Sequence, residues 1–188
     1  MIRITGGEFR GRLLSVPPAG RTRPTQAKLR QALFNSVQMR IPESRCVDLF
    51  AGSGSLGFEA LSRGATQVVF VENDREVAKI LLKNAETLRV TDRMELWSEP
   101  VEKVAERLAE AGPFDVVFAD PPYAGGWELR LLQELDWSRI LAPGGILVLE
   151  WGAQKSQVKE LPETSGFLAK VREKSYGESI LSTFERID

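Results

Sequence analysis

The sequence predicts an α/β protein: a seven-stranded, mostly parallel sheet with helices on both faces, a C-terminal antiparallel hairpin and a small N-terminal extension. Three observations carry this prediction. From Arg45 onward, short apolar runs alternate with amphipathic stretches of helical period, as in consecutive βαβ units. Near the end, Phe167 to Lys174 and Ile180 to Ile187 are strand-like runs separated by a short connection at Tyr176-Gly177, which suits an antiparallel hairpin better than a crossover. The first forty residues differ in charge from everything after them. Residues 1–42 are therefore read as a basic hairpin-and-helix extension, and 43–188 as the main domain.

Taken in order, Met1 to Ser15 holds short alternating segments around Gly6-Gly7 and Gly11, consistent with a small hairpin. Pro17-Pro18-Ala19-Gly20 breaks the chain. Leu29, Leu33 and Val37 then recur every four residues, which predicts a helix with Thr25 as N-cap after Pro24, Lys28 and Gln31 on another face, and Pro42 as terminator. In the main domain, strands are expected near Cys46–Phe50, Gln67–Glu72, Met94–Trp97, Phe114–Ala119 and Gly145–Trp151. Helices fill the gaps, near Leu56–Arg63, Arg75–Leu88, Val101–Ala111 and Trp127–Ile140.

Composition narrows the chemistry. With 188 residues and 43% hydrophobic content, one buried core is expected. No apolar run approaches the roughly 20 residues that span a bilayer, and Met1-Ile2-Arg3-Ile4-Thr5 lacks the hydrophobic block of a signal peptide, so a soluble, cytoplasmic protein is expected. A single cysteine, Cys46, leaves no internal disulfide or cysteine-rich zinc site, and the absence of histidine removes the commonest general base and metal ligand. Cys46 opens an apolar strand and reads as a packing residue. The net charge of -1 conceals a sorting: residues 1–40 hold eight basic side chains against Glu8 alone, and the remainder carries 17 basic against 25 acidic. Such sorting fits a polyanion-binding segment on a body that needs no such partner, or simply a solvated basic face.

The first strand leads into Asp48-Leu49-Phe50-Ala51-Gly52-Ser53-Gly54-Ser55-Leu56-Gly57, with glycines in a GxGxxG arrangement. Glycines there let a ligand approach the backbone at a helix N-terminus. Glu72 ends the second strand, where an acid that binds ribose hydroxyls belongs. Asp48, ahead of the glycines, suits a ligand with ammonium and sulfonium groups better than a pyrophosphate, because like charges repel at short range. S-adenosylmethionine is thus favoured over NAD.

The fourth strand leads into Asp120-Pro121-Pro122-Tyr123. Neither proline has an amide hydrogen, so the loop presents a carboxylate and bare carbonyls without competing donors, on a backbone whose φ is fixed. An acceptor-only site suits a substrate that donates, such as an amino group, and Tyr123 adds a flat face for a planar ring. The loop reads as a site for the exocyclic amine of a nucleobase.

Together these residues resemble a known family. The chain is similar to class I S-adenosylmethionine-dependent methyltransferases, and more narrowly to the bacterial 16S ribosomal RNA guanine-N2 methyltransferases of the small subunit. The resemblance runs through Gly6-Gly7 with Arg10-Gly11-Arg12-Leu13, Arg23-Pro24-Thr25 with Arg30 and Leu33-Phe34-Asn35, the run from Asp48 to Ala65, Val71-Glu72 and Asp120 to Tyr123. It implies a Rossmann-like fold and a cofactor held by Asp48, Phe50, Ala51, Gly52, Ser53, Gly54 and Leu56, with Glu72 and Asn73 on the ribose side. After the third strand, Ser98 and Glu99 stand near the implied adenine. The resemblance places the target guanine at Asp120, Pro121, Pro122 and Tyr123, with Asp120 also beside the cofactor. It implies RNA contacts from Arg10, Arg12, Arg21, Arg23, Thr25, Lys28 and Arg30, and small-subunit RNA, free or within an assembling particle, as partner. No metal, no membrane and a monomer are expected, with S-adenosylhomocysteine as product.

The chemistry agrees. An amine on an aromatic ring donates its lone pair to the ring and is a poor nucleophile until acceptors draw its hydrogens; Asp120 and the Pro121 carbonyl are candidates for this work. Three alternatives share part of the pattern: a DNA adenine or cytosine amino-methyltransferase, a protein glutamine methyltransferase, and a non-catalytic RNA-binding assembly factor.

Overall fold

The computed structural model describes residues 1–18, 27–152, 156 and 158–188. Arg21, Arg23 and Thr25, and with them the expected N-cap, lie outside the described residues. Apolar β-branched runs form the central strands β3 (Arg45–Leu49), β4 (Gln67–Val71), β5 (Met94–Trp97), β6 (Phe114–Ala119) and β7 (Leu141–Trp151), all parallel. Two strands precede them, β1 (Ile2–Arg3) and β2 (Leu13–Leu14), which pair as a separate antiparallel hairpin. After β7 come β8 (Thr164–Ser165), β9 (Leu168–Tyr176) and β10 (Ser179–Arg186), all antiparallel to their neighbours, giving the order β5-β4-β3-β6-β7-β10-β9-β8. The order of strands across the sheet reverses between β3 and β6, the switch point at which open α/β sheets form a crevice.

Among the described residues, six helices cover the sheet: α1 (Ala27–Ser36), α2 (Ser55–Ser62), α3 (Arg75–Leu88), α4 (Val101–Ala111), α5 (Trp127–Glu134) and α6 (Trp137–Ile140). Alternation along the strands sorts two cores. Cys46, Val116, Phe118 and Val148 point toward α1, α2 and α3, where Phe34 meets Phe118 at 5.3 Å between ring centroids. Val47, Leu49, Val117 and Leu149 point toward α4, α5 and α6. Helices thus lie on both faces, as the alternating pattern predicts. Ile2, Ile4, Phe9 and Leu14 join the first core, so the hairpin is anchored by buried apolar side chains. Cys46 is fully buried, and burial pushes its thiol up to about 12.

Most boundaries agree to within one or two residues, and four features differ by more. The seven expected strands are present, and a two-residue eighth, β8, pairs with β9 across a tight turn at Gly166, whose φ is +54°. The helix expected over Trp127–Ile140 is two, because Leu135 is extended (φ -97°, ψ 142°) and the break lets Trp137 bury and donate from Nε1 to the Leu131 carbonyl at 2.8 Å. Strand β7 begins at Leu141 rather than Gly145. Helix α1 stops at Ser36, and a 3₁₀ turn over Gln38–Arg40 intervenes before Pro42.

Candidate active site

The carboxyl ends of β3, β4, β5 and β6 open into one cavity of about 610 Å³, within the usual range for small-molecule sites. It is lined by Asp48, Phe50, Ala51, Gly52, Ser53 and Leu56 from the first loop, Glu72 and Asn73 from the second, Glu99 from the third, and Asp120 to Tyr123 from the fourth. Loops far apart in sequence converge because parallel strands put every strand-to-helix connection at the same sheet edge. Two expected residues are not in the lining. Gly54 instead caps α2 in the left-handed region (φ +83°), where a Cβ would fall 2.5 Å from the Phe58 ring. Ser98 is exposed beside the cavity.

The glycine loop is held from three sides. Glu72 Oε2 accepts from the Gly52 amide at 2.8 Å while its Oε1 accepts from the Asp74 amide at 2.8 Å, so one carboxylate clasps two loops. Asp48 Oδ2 accepts from the Gly57 amide at 2.8 Å in the first turn of α2. Gly57 itself has a packing role: a Cβ there would sit 2.2 Å from the Phe70 ring. On the third side, buried Asn84 donates to the Ser53 carbonyl at 3.0 Å and the Ser15 carbonyl at 2.9 Å, and accepts from the Ser15 amide at 2.8 Å. Asn84 thereby ties the N-terminal hairpin to the glycine loop; a polar residue on the inward face of an amphipathic helix is the only sequence signal for it.

Charge in the cavity is one-sided. Asp48 is only 1% exposed, and its carboxyl is pushed up to about 8 chiefly by burial, partly offset by the Gly57 amide, with the charges of Asp120 and Glu72 raising it further. Three carboxyl groups close enough to influence one another make a site for a cation.

Part of the lining is aromatic. Phe50 adopts φ +62°, a conformation that costs a bulky residue on the order of 1–3 kcal/mol. Its ring meets Trp127 edge-on at 4.9 Å, and Trp127 lines the cavity although the sequence reading gave it no such place. Val77, Pro100 and Val101 add apolar lining. Asp74 also borders the cavity, and caps α3 by accepting from the Glu76 amide at 2.8 Å and the Val77 amide at 3.2 Å. Glu99 faces Arg107 at 3.7 Å, whose guanidinium stacks 3.9 Å above Trp97. Pro121 is buried, Pro122 exposed and Tyr123 half-buried against Gly152, where a Cβ would stand 3.2 Å from the tyrosine ring.

Of the expected RNA-contacting residues, Arg10, Arg12 and Lys28 lie at the surface, with Arg12 5.6 Å over the Phe9 ring. Arg30 is a correction. It is 1% exposed, donates from Nη2 to the Arg3 carbonyl at 2.6 Å and lies 3.5 Å from Glu59 Oε2. Its guanidinium faces the first core because α1 turns that side inward, and there it braces the hairpin against α2.

The parallel sheet with its switch-point cavity, the clasped glycine loop and the acidic strand ends define a Rossmann-like, S-adenosylmethionine-dependent methyltransferase. More narrowly, the chain belongs to the family described as Conserved hypothetical protein 95, whose model matches residues 2–185. It is 35% identical over 189 residues to "Ribosomal RNA small subunit methyltransferase D" of Escherichia coli K12, covering 98% of this chain and 90% of that one. The Haemophilus influenzae protein of the same name is 39% identical over 153 residues, covering 79% and 78%. A solved hypothetical protein of Thermus thermophilus superposes with a TM-score of 0.79 at 35% identity, covering 97% of this chain and 98% of that one.

Proposed function

We propose that this enzyme transfers the methyl group of S-adenosylmethionine to the exocyclic N2 amine of a guanine in small-subunit (16S) ribosomal RNA, in the cytoplasm. The observation that carries the reading is the shared cavity of Asp120-Pro121-Pro122-Tyr123 with Asp48, Gly52 and Glu72. The residues fit the cofactor. Each Glu72 oxygen uses one lone pair on a backbone amide and keeps another for a ribose hydroxyl. Glu72 and Asp120 offer a negative environment to a cation, Asp48 adds to it on giving up its proton, and Gly52 leaves the backbone approachable.

S-adenosylmethionine supplies a methyl group already activated on a sulfonium and departs as S-adenosylhomocysteine. The chain's own residues do the rest. Asp120 and the Pro121 carbonyl accept the hydrogens of the amine, localise its lone pair, and Asp120 takes the proton as the new N–C bond forms. Tyr123 stacks on the base. Because the methyl donor is pre-activated, most of the acceleration comes from holding nitrogen, carbon and sulfur in line. The names of the relatives favour ribosomal RNA over DNA as the acceptor.

The decisive experiment incubates the purified protein and labelled cofactor with small-subunit RNA, small-subunit particles, DNA and protein, followed by nucleoside analysis. N2-methylguanosine from the RNA or particle is expected; label in adenine, DNA or protein, or no label, overturns the reading. Asp120→Asn should slow transfer by about 10²- to 10⁴-fold. Cofactor affinity should stay within a few-fold by calorimetry, and lost affinity with normal turnover at saturation would remove Asp120 from its role.

A further inference from the structure

The outer strand of the C-terminal hairpin, β9, carries charge that the reaction does not use. Register fixes which side it faces. Arg172 pairs with Thr183, Thr183 with Val148 and Val148 with Phe118, so all four side chains share the face covered by α1. One step along, Lys174 pairs with Leu181 and Leu181 with Glu150. Leu181 and Tyr176 pack on the α1-side core, which confirms the facing. Helix α1 covers this face at β6, and by β9 the face is open, leaving Arg172 and Lys174 exposed.

The neighbouring cations on the hairpin are occupied differently. Lys170, beyond the irregularity between Thr183 and Phe184, is held by Glu163 at 2.8 Å and Glu173 at 3.5 Å. Arg172 and Lys174 make no ion pair among the described residues. Lys174 instead sits 5.3 Å from the centroid of the Tyr176 ring. Two cations without an acidic partner, beside an aromatic ring and two residues apart on one strand face, match the composition of a surface that tracks a nucleic-acid backbone and stacks a base.

The position fits the same partner. Asp120 follows Ala119, which pairs with Leu149, so Asp120 is level with the row of Glu150, Leu181 and Lys174. Three strand spacings separate Asp120 from Lys174, about 14 Å. The turn after Tyr176 reaches the site itself: the Glu178 carbonyl and the Tyr123 ring stand 3.0 and 3.2 Å from where a Gly152 Cβ would be. Arg10 and Arg12 lie on the opposite flank, on the hairpin that packs against α2 and α3 through Ser62 and Asn84.

We infer that Arg172, Lys174 and Tyr176 form a second RNA-contacting surface, gripping phosphates and one base beside the target nucleotide on the side away from the N-terminal hairpin. This rests on the RNA reading of the active site. The target thus enters between two basic flanks, and the acidic body between them keeps the backbone from settling elsewhere.

The test is the salt dependence of RNA binding by the full chain, with Arg172→Gln/Lys174→Gln against wild type. Each phosphate contact adds about 0.7 to the slope of log affinity on log salt for single strands and about 0.9 for duplex. The double variant should lose between about 1 and 2 of slope, and Arg172→Lys/Lys174→Arg should restore it. Tyr176→Leu should weaken binding about five- to tenfold with the slope retained. An unchanged slope in a variant with wild-type thermal midpoint overturns the inference. So does an unchanged slope on RNA with a loss on protein-bearing particles, which would make the strip a protein contact. If wild type transfers no methyl group to small-subunit RNA, the reading of function has failed instead, and the two failures are separable.

Discussion

Two buried carboxyl groups at helix α2, Asp48 against its first turn and Glu59 in its C-terminal half, are treated in opposite ways. Glu59, fully buried, accepts from the Thr5 amide at 2.8 Å, the Thr5 hydroxyl at 2.7 Å and Arg63 Nε at 2.9 Å, with the buried Arg30 alongside. Asp48, equally buried, has the Gly57 amide at 2.8 Å and two further carboxylates nearby. Glu59 is compensated on every side and holds the N-terminal hairpin to the sheet domain. Asp48 has one amide and two carboxylates around it, so it is left to hold its own proton. The two acids are alike in burial and differ in how completely they are compensated.

The largest expected effect tests the compensated end. Glu59→Ala strands the Arg30 guanidinium in the core, and removing one member of a buried ion pair costs about 3–5 kcal/mol. Denaturant unfolding should register that loss, whereas the double variant Glu59→Leu/Arg30→Met should recover part of it, because the fully buried charge is gone while the partly exposed Arg63 and the Thr5 amide still lose their acceptor. A double variant as unstable as the single one would show that the pair is not the unit of stability.

Asp48→Asn tests the other end, and its effect should be smaller on folding and specific to the ligand. In the folded protein Asp48 keeps its proton up to about pH 8, against an ordinary value of 3.8. Between those limits the folded state binds a proton that the unfolded state has released, so this group's contribution to stability declines as pH rises and levels off above pH 8. Asparagine keeps the acceptor for Gly57 and does not titrate. The variant should therefore gain stability relative to wild type as pH is raised from about 4 to about 8, read from denaturation at several pH values. Its affinity for S-adenosylmethionine should drop about tenfold at pH 8, some 1.4 kcal/mol, with a smaller drop for the uncharged-sulfur product S-adenosylhomocysteine. Cofactor binding to wild type should release a proton below pH 8 in calorimetry with buffers of different ionisation enthalpy. Equal losses for both ligands would mean that Asp48 only shapes the loop.

How much of this is legible in the sequence follows the same division. The alternating pattern from Arg45 onward reveals the sheet and both helix layers because apolar spacing reports directly on burial. That Asp48, Gly52, Glu72 and Asp120 meet at one cavity is legible because each belongs to a short motif at a strand end. Arg30 is misread from sequence, since a basic residue in a basic segment looks solvent-facing until the partner 29 residues away, Glu59, is placed beside it. Trp127 and Asn84 escape notice for a related reason: each belongs to a helix whose own pattern explains it, and only the packing of loops onto α3 and α5 brings them to the cavity and its glycine loop. The break at Leu135 is invisible because no glycine or proline marks it.

The smallest expected effect separates the two kinds of arginine in the N-terminal segment. Arg10 and Arg12 are exposed, Arg30 is not. Arg10→Gln/Arg12→Gln should leave the thermal midpoint within about 1–2 °C and lower the salt slope of RNA binding by between about 1 and 2, roughly one phosphate per side chain. Arg30→Lys should do the reverse, lowering the midpoint by several degrees through the lost planar fork while leaving the slope alone. If Arg30→Lys instead changed the slope and the exposed pair did not, the hairpin would have to detach from Glu59 when RNA binds, and the compensated carboxyl would itself become a switch.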